Sequence, residues 1–194
     1  YIYKCSKKSD LENNENTKKC GAVFTVEGGN VLLNDINRLD YLHDVGVKMI
    51  TLTWNGESCF GSGCLVDNPQ GLTDFGKKAL KKMSKLGIYA DVSHASDKLF
   101  FDVAEFIDTP IIATHSNSRT VCDNKRNLTD EQFKIIKDSN GLVGINFYKY
   151  FLNNKGNADF SDIRKHIEHF LSLDGENIIC IGSDFDGADM PDDI

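Results

Sequence analysis

A chain of 194 residues, 40% hydrophobic and 26% charged, has the size and make-up of a single globular domain with a full core. Its 22 basic against 29 acidic residues leave a formal charge of −7, which argues against a nucleic-acid partner, since phosphate binding needs a concentrated basic face. No apolar run reaches the ~18 residues of a membrane helix, and no stretch has the order of charged, apolar and small residues found in a secretion signal. Lys77, Lys78, Lys81, Lys82 and Lys85 do cluster, but on one expected helix, where they read as a solvated face. The cysteines at 5, 20, 59, 64, 122 and 180 form no CxxC pair and read as free thiols of a reducing, cytoplasmic setting. Cys59 and Cys64, flanking a glycine-rich loop, carry the alternatives of a disulfide or a minor metal site.

Residues 4–20 are polar and rich in Asn, Lys and Glu, a loop or exposed helix. GAVFTVEG, from Gly21, is a short apolar run closed by Glu27 and two glycines, and predicts a buried strand. Ile36, Leu39, Leu42 and Val45 at helical spacing predict a helix from Asn34, stopped by Gly46. VKMITLT is the next strand, and Trp54 to Gly71 a long loop of the kind that carries function or moves. Thr73 caps a helix reaching Leu86, with Gly87 as its stop. IYADVS is a strand, and Ser96 or Asp97 caps a helix to Ile107. Pro110 opens the strand IIAT, and Thr129 with Gln132 has the form of a capping box. LVGIN is a strand, Phe160–Leu173 a helix with Ile163, Ile167, Phe170 and Leu171 inward, and IICIGS a final strand.

Six strands alternating with five helices imply parallel βα units. The strand ends fall near Glu27, Thr53, Ser93, Thr114, Asn146 and Ser183, in steps of about 31 residues, against roughly 31 per unit in a ~250-residue barrel. No GxGxxG or P-loop follows a strand, which removes the usual reasons for an open doubly wound sheet. The expected fold is therefore α/β, a (β/α)8 TIM-like barrel of which residues 1–194 supply about six units as one partial domain. The abrupt end at Met190–Ile194 fits a chain cut from a larger barrel.

Reacting groups of such folds sit at the C-terminal strand ends. Here these are Glu27, Trp54–Asn55, Ser93–His94, Thr114–His115, Asn146 and Ser183–Asp184. Four are of the metal-ligand type, Glu27, His94, His115 and Asp184, and neutral imidazoles with carboxylates suit zinc, with manganese or iron as alternatives. His43, His166 and His169 fall within expected helices, and His166 and His169 read as solvent-exposed. Asp184-Phe185-Asp186-Gly187 lacks the further ligand spacing and terminal Glu of a calcium loop.

VEGG, LTWN, GLTDFG, LGIYADVSHAS, ATHSNSR, CDNKRNLTDEQ and IGSDFDG, in this order over about residues 21–190, resemble the membrane (renal) dipeptidase family of zinc metallopeptidases, M19, including its bacterial members. The resemblance implies a dipeptidase acting through a water bridging two zinc ions, with a small dipeptide-like substrate and no nucleic acid. By it, Glu27 bridges the ions, His94 and His115 ligate the second, and Asp184 is the catalytic, proton-transferring carboxylate. Arg126 would hold the substrate carboxylate, with Tyr148, Trp54 and Asn55 lining the pocket. The family's first strand supplies a His-x-Asp pair to the first zinc, and no HxD occurs in this chain. That pair is expected upstream of Tyr1, so that this chain holds at most one ion, or holds it weakly. Trp54 stands where many members have a substrate-contacting histidine. Another metal-dependent amidohydrolase or lactonase, or a scaffold that binds without turnover, are the alternatives, and a homodimer stays open.

Overall fold

The computed structural model describes residues 1–12 and 19–191. The chain runs through strand β1 (Ile2–Lys4), helix α1 (Lys8–Glu12), β2 (Cys20–Ala22), β3 (Phe24–Glu27), α2 (Arg38–Asp44), β4 (Val47–Thr51), α3 (Asp74–Leu86) and β5 (Tyr89–Asp91). It continues through α4 (Asp97–Phe106), β6 (Ile112–Ala113), α5 (Asp130–Asp138), β7 (Leu142–Ile145), α6 (Lys149–Leu152), α7 (Phe160–Leu171) and β8 (Ile179–Ile181). Strands β3 to β8 form one parallel sheet in strict chain order, and β1 pairs with β2 in a separate parallel ladder. An unbroken order has no point where the winding reverses, so this is an arc of a barrel and not a doubly wound sheet.

The helix starts follow from local chemistry. Thr73, Ser96 and Thr129 each accept a backbone N–H through their hydroxyls, and Gln132 returns a bond to the Thr129 amide to complete the capping box. Gly87, at φ 65°, ends α3. Lys77, Lys78, Lys81 and Lys85 are exposed as expected, and the half-buried Lys82 pairs with Asp40. Helices α3, α5 and α7 pack against β5 and β7, burying a core that includes Ile50, Leu80, Met83, Leu99, Phe100, Phe133, Ile136, Val143 and Phe170.

Phe133 of α5 and Phe170 of α7 stack with ring centroids 4.1 Å apart and are fully buried. Replacing Phe133 with Ala is expected to destabilise the protein by about 3–5 kcal/mol, from lost transfer energy and the cavity left behind. Urea unfolding measures this, and a loss under about 1 kcal/mol would show that the buried ring contributes little to stability.

Several sequence expectations are corrected. GAVFTVEG forms two strands, β2 and β3, and Phe24, Thr25 and Glu27 are exposed where a buried strand was expected. The reason is position: among the described residues β3 pairs only with β4, and β8 only with β7, so both are sheet edges. Ile181 of β8 is likewise 77% exposed. The helix expected from Asn34 is shorter and begins at Arg38, because Leu33 and Asn34 take left-handed backbone (φ 48° and 57°) after a 3-10 turn at Gly29–Leu32. In α7 it is Asp162, Ile163, His166 and Phe170 that are buried, while Leu171 faces solvent. The polar segment 4–20 holds the last residue of β1, the exposed helix α1 and the first residue of β2; its residues 13–18, and residues 192–194 of the chain end, lie outside the described residues. All six cysteines are unpaired, including Cys59 and Cys64. No helix among the described residues is long and apolar enough to cross a membrane.

Candidate metal centre

Three of the strand ends converge. Glu27 closes β3, His94 sits in the turn after β5, and His115 stands two residues beyond β6. His94 Nε2 lies 2.9 Å from Glu27 Oε1, His115 Nε2 lies 3.2 Å from the same oxygen, and the two Nε2 atoms are 2.9 Å apart. Both imidazoles are buried, while Glu27 is exposed on the open side of the arc. His94 adopts φ 69°, a conformation rare outside glycine and concentrated at functional sites, where surrounding structure enforces it.

The surroundings hold these groups in place. The Trp54–Gly71 loop, expected to be functional or mobile, is fastened over the end of β5: the Cys64 amide donates to the His94 carbonyl at 2.9 Å. Asn55 Oδ1 lies 2.8 Å from His94 Nδ1 and accepts its proton, which leaves the Nε2 lone pair facing His115 and Glu27. Thr114 is positioned just as closely. Its carbonyl oxygen lies against Gly144 of β7 and Gly182 just beyond β8, where any Cβ would overlap it, so the close approach at both positions requires glycine.

Burial pushes the His94 pKa down, favouring the neutral ring that can ligate a metal. Glu27 is a carboxylate, anionic at neutral pH. Two imidazole nitrogens and a carboxylate oxygen within 3.2 Å of one another are three acceptors facing one point. Only a cation or a shared proton relieves that repulsion. Bonds of about 2.0–2.2 Å to a tetrahedral ion place ligand atoms about 3.3–3.6 Å apart, a few tenths of an ångström beyond the observed edges, so small side-chain shifts would let this donor set hold zinc. Among the described residues this is the one group of three or more His, Cys, Asp or Glu close enough to share an ion. Asp184, counted with the ligand types in the sequence, is outside it.

A cavity of about 500 Å³ opens beside the triad, with Trp54, Asn55, Tyr148, Phe151 and Asp184 on its walls. Trp54 is 61% exposed, its ring centroid 6.0 Å from that of His94. Asp184 also sits in left-handed backbone, at φ 66°, and accepts a bond of 3.1 Å from Asn146 Nδ2. Asn146 is itself clamped: Asn117 bonds both its amide and its carbonyl, at 3.0 and 2.9 Å. Arg126 is buried rather than on the cavity wall. Its guanidinium lies 5.1 Å over the Phe151 ring, Nη2 reaches the His115 carbonyl at 3.4 Å, and Nε has no partner. Burial lowers its pKa, the direction expected for a cation taken from water. An unfilled donor on a buried cation favours an incoming anion. The loop that carries Arg126 is braced by Arg119, which pairs with Asp97 through both terminal nitrogens at 2.7 and 2.8 Å and donates Nε to the Asn127 carbonyl.

His166 is not solvent-exposed as expected. It is fully buried, accepting from the Ser118 amide and donating to the Leu152 carbonyl, and burial depresses its pKa. His169 is half-buried against Asp130. Neither approaches the triad. Sequence reasoning passed over Asp91 and Asn117, whose only local signal is a polar residue beside a strand end.

The family model described as membrane dipeptidase, peptidase family M19, matches residues 3–193. The chain belongs to this family. Over 98% of its length this M19 chain is 35% identical to an uncharacterized protein from the pqqA 5' region of Klebsiella pneumoniae, of which it spans 74%. It is 32% identical to Dipeptidase 3 of Mus musculus but spans 36% of that protein. Among solved structures, a metallo peptidase from Rhodobacter sphaeroides, liganded with a phosphinate mimic of the dipeptide L-Ala-D-Ala, superposes with a TM-score of 0.91 at 31% identity. The M19 metallo peptidase dipeptidase AC does so with 0.92 at 30%. The chain covers 57% and 60% of those two chains, so it spans little more than half of them.

Proposed function

We propose that the whole protein is a zinc-dependent dipeptidase whose site includes Glu27, His94, His115, Asp184 and Arg126. The observation that carries this reading is the convergence of the three acceptors of Glu27, His94 and His115 beside a cavity that Asp184 lines. Family membership and the likeness to a metallo peptidase holding a dipeptide mimic support it. Glu27, His94 and His115 would hold the zinc ion, which would supply Lewis acidity toward the scissile carbonyl and bring the pKa of water toward ~7. Asp184, positioned by Asn146, takes the proton of the attacking water and returns it to the leaving amine. Trp54, Tyr148 and Phe151 bound the space for the side chains, and Arg126, buried behind Phe151 with an unfilled donor, is the cation proposed to meet the free carboxylate of the substrate.

The test uses the full-length protein with L-Ala-D-Ala, other dipeptides, dipeptide amides, N-acylated amino acids and lactones. Free dipeptides are expected to be the best substrates, and activity to disappear on exhaustive chelation and return with zinc. Faster turnover of lactones or acylated amino acids, or full activity after chelation, overturns the proposal. Replacing Arg126 with Met is expected to reduce kcat/KM for dipeptides by about 10–100-fold, the value of a lost charge-assisted pair of about 1.5–3 kcal/mol. The same change leaves the weak turnover of dipeptide amides nearly unaltered, and a large further loss on amides would place Arg126 elsewhere in the reaction.

A further inference from the structure

We infer that Asp91, through the hydroxyl of Thr114, is the positioning residue that fixes the tautomer of His115 and the turn carrying His94. The inference rests on the metal-centre reading above. Asp91 ends β5 and is 1% exposed, a buried carboxylate whose oxygens are filled by four donors. Its Oδ2 accepts from the hydroxyls of Thr51, at the end of β4, and of Thr114, just beyond β6. Its Oδ1 accepts from the amides of Ser93 and Thr114, each at 3.0 Å.

A proton count then gives the direction of the chain of bonds. Thr114 has one hydroxyl proton, and at 2.6 Å from a carboxylate oxygen it is donated to Asp91. The 2.8 Å contact between Thr114 Oγ1 and His115 Nδ1 therefore requires the imidazole to donate. His115 carries its proton on Nδ1, and its Nε2 lone pair faces Glu27 and His94. This is the carboxylate–histidine arrangement that orients metal ligands, with a hydroxyl inserted between the two members. The other carboxylate oxygen acts on His94: by holding the Ser93 amide it shapes the turn in which His94 takes φ 69°. Ser93 Oγ in turn accepts the His115 amide at 3.1 Å. One buried anion thus orients both imidazoles.

A simpler role is a staple joining three strand ends, in which the Thr51 and Thr114 hydroxyls are equivalent because both bond Oδ2. The two roles separate by single-hydroxyl deletions in the full-length protein. Thr114→Val is expected to weaken zinc binding about 10–100-fold, in the range of a lost outer partner, by competition with a chromophoric chelator. Thr51→Val and the hydroxyl-retaining Thr114→Ser are expected to stay within about threefold of the parent protein. Nitrogen-15 NMR of the zinc-free protein is expected to show the Nδ1–H tautomer of His115 in the parent, Thr51→Val and Thr114→Ser, and a mixture in Thr114→Val. Equal losses for Thr51→Val and Thr114→Val, or an unchanged tautomer in Thr114→Val, overturn the inference. Absence of zinc binding by the parent protein overturns the metal-centre reading itself, and the tautomer measurement, made without zinc, tells the two failures apart.

Discussion

Replacing Glu27 with Gln in the full-length protein is expected to weaken zinc binding more than the 10–100-fold that loss of an outer partner costs, and to remove most dipeptide turnover with it. Glu27 Oε1 lies 2.9 and 3.2 Å from the two Nε2 nitrogens and brings the one negative charge among the three ligand atoms. Gln keeps the size and one carbonyl oxygen but loses the charge, leaving two neutral rings 2.9 Å apart with nothing negative to draw a cation between them. A ligand that binds only the folded state stabilises it by about 2.7 kcal/mol at a hundredfold excess over Kd, which is about 5–10 °C for a domain of this size. Zinc should therefore raise the Tm of the parent protein by that amount and move the variant little. A variant with parental zinc affinity and parental thermal shift would mean that the ion sits elsewhere.

What could be read in the sequence was whatever depends on neighbours along the chain. Apolar runs alternating with capped helical periods revealed the six sheet strands, because Thr73, Ser96 and the Thr129–Gln132 box are local devices. Polar residues at the ends of those runs pointed to Glu27, His94 and His115, since parallel strands in a barrel place their C-terminal ends on one rim. What stayed hidden depends on partners distant in sequence. Asp91 reads as one more polar residue in a strand, and its burial has meaning only beside Thr51, 40 residues away, and Thr114, 23 residues away.

His166 shows the same limit from the other side. Its helical spacing places it at the border of an apolar stripe, which suggests solvent. The Ser118 amide and the Leu152 carbonyl satisfy both ring nitrogens and let it be buried, and both come from other elements. The exposure of β3 is a third case. Its composition is that of a covered strand, but cover is a property of the sheet, and β3 lies at an edge of it among the described residues.

Asp184→Asn is expected to lower kcat by about 10²–10⁴-fold while KM and zinc content stay near those of the parent enzyme. The substitution is favourable for isolating chemistry from structure. Asp184 occupies left-handed backbone at φ 66°, which Asn tolerates as readily as Asp and Ala does not. Its Oδ2 accepts from Asn146 Nδ2 at 3.1 Å, and an Asn carbonyl oxygen accepts that bond equally well. Asn146 is in turn fixed by Asn117, so the side chain at 184 keeps its place. What the amide lacks is the ability to take a proton from water and give it to an amine. If Asp184 instead only shaped the cavity or bound the ion, Asn would leave kcat nearly intact in the first case and strip zinc in the second. Steady-state kinetics on L-Ala-D-Ala with metal analysis of the same preparation distinguishes these outcomes, and a kcat within threefold of the parent at full zinc content would remove Asp184 from the proton path.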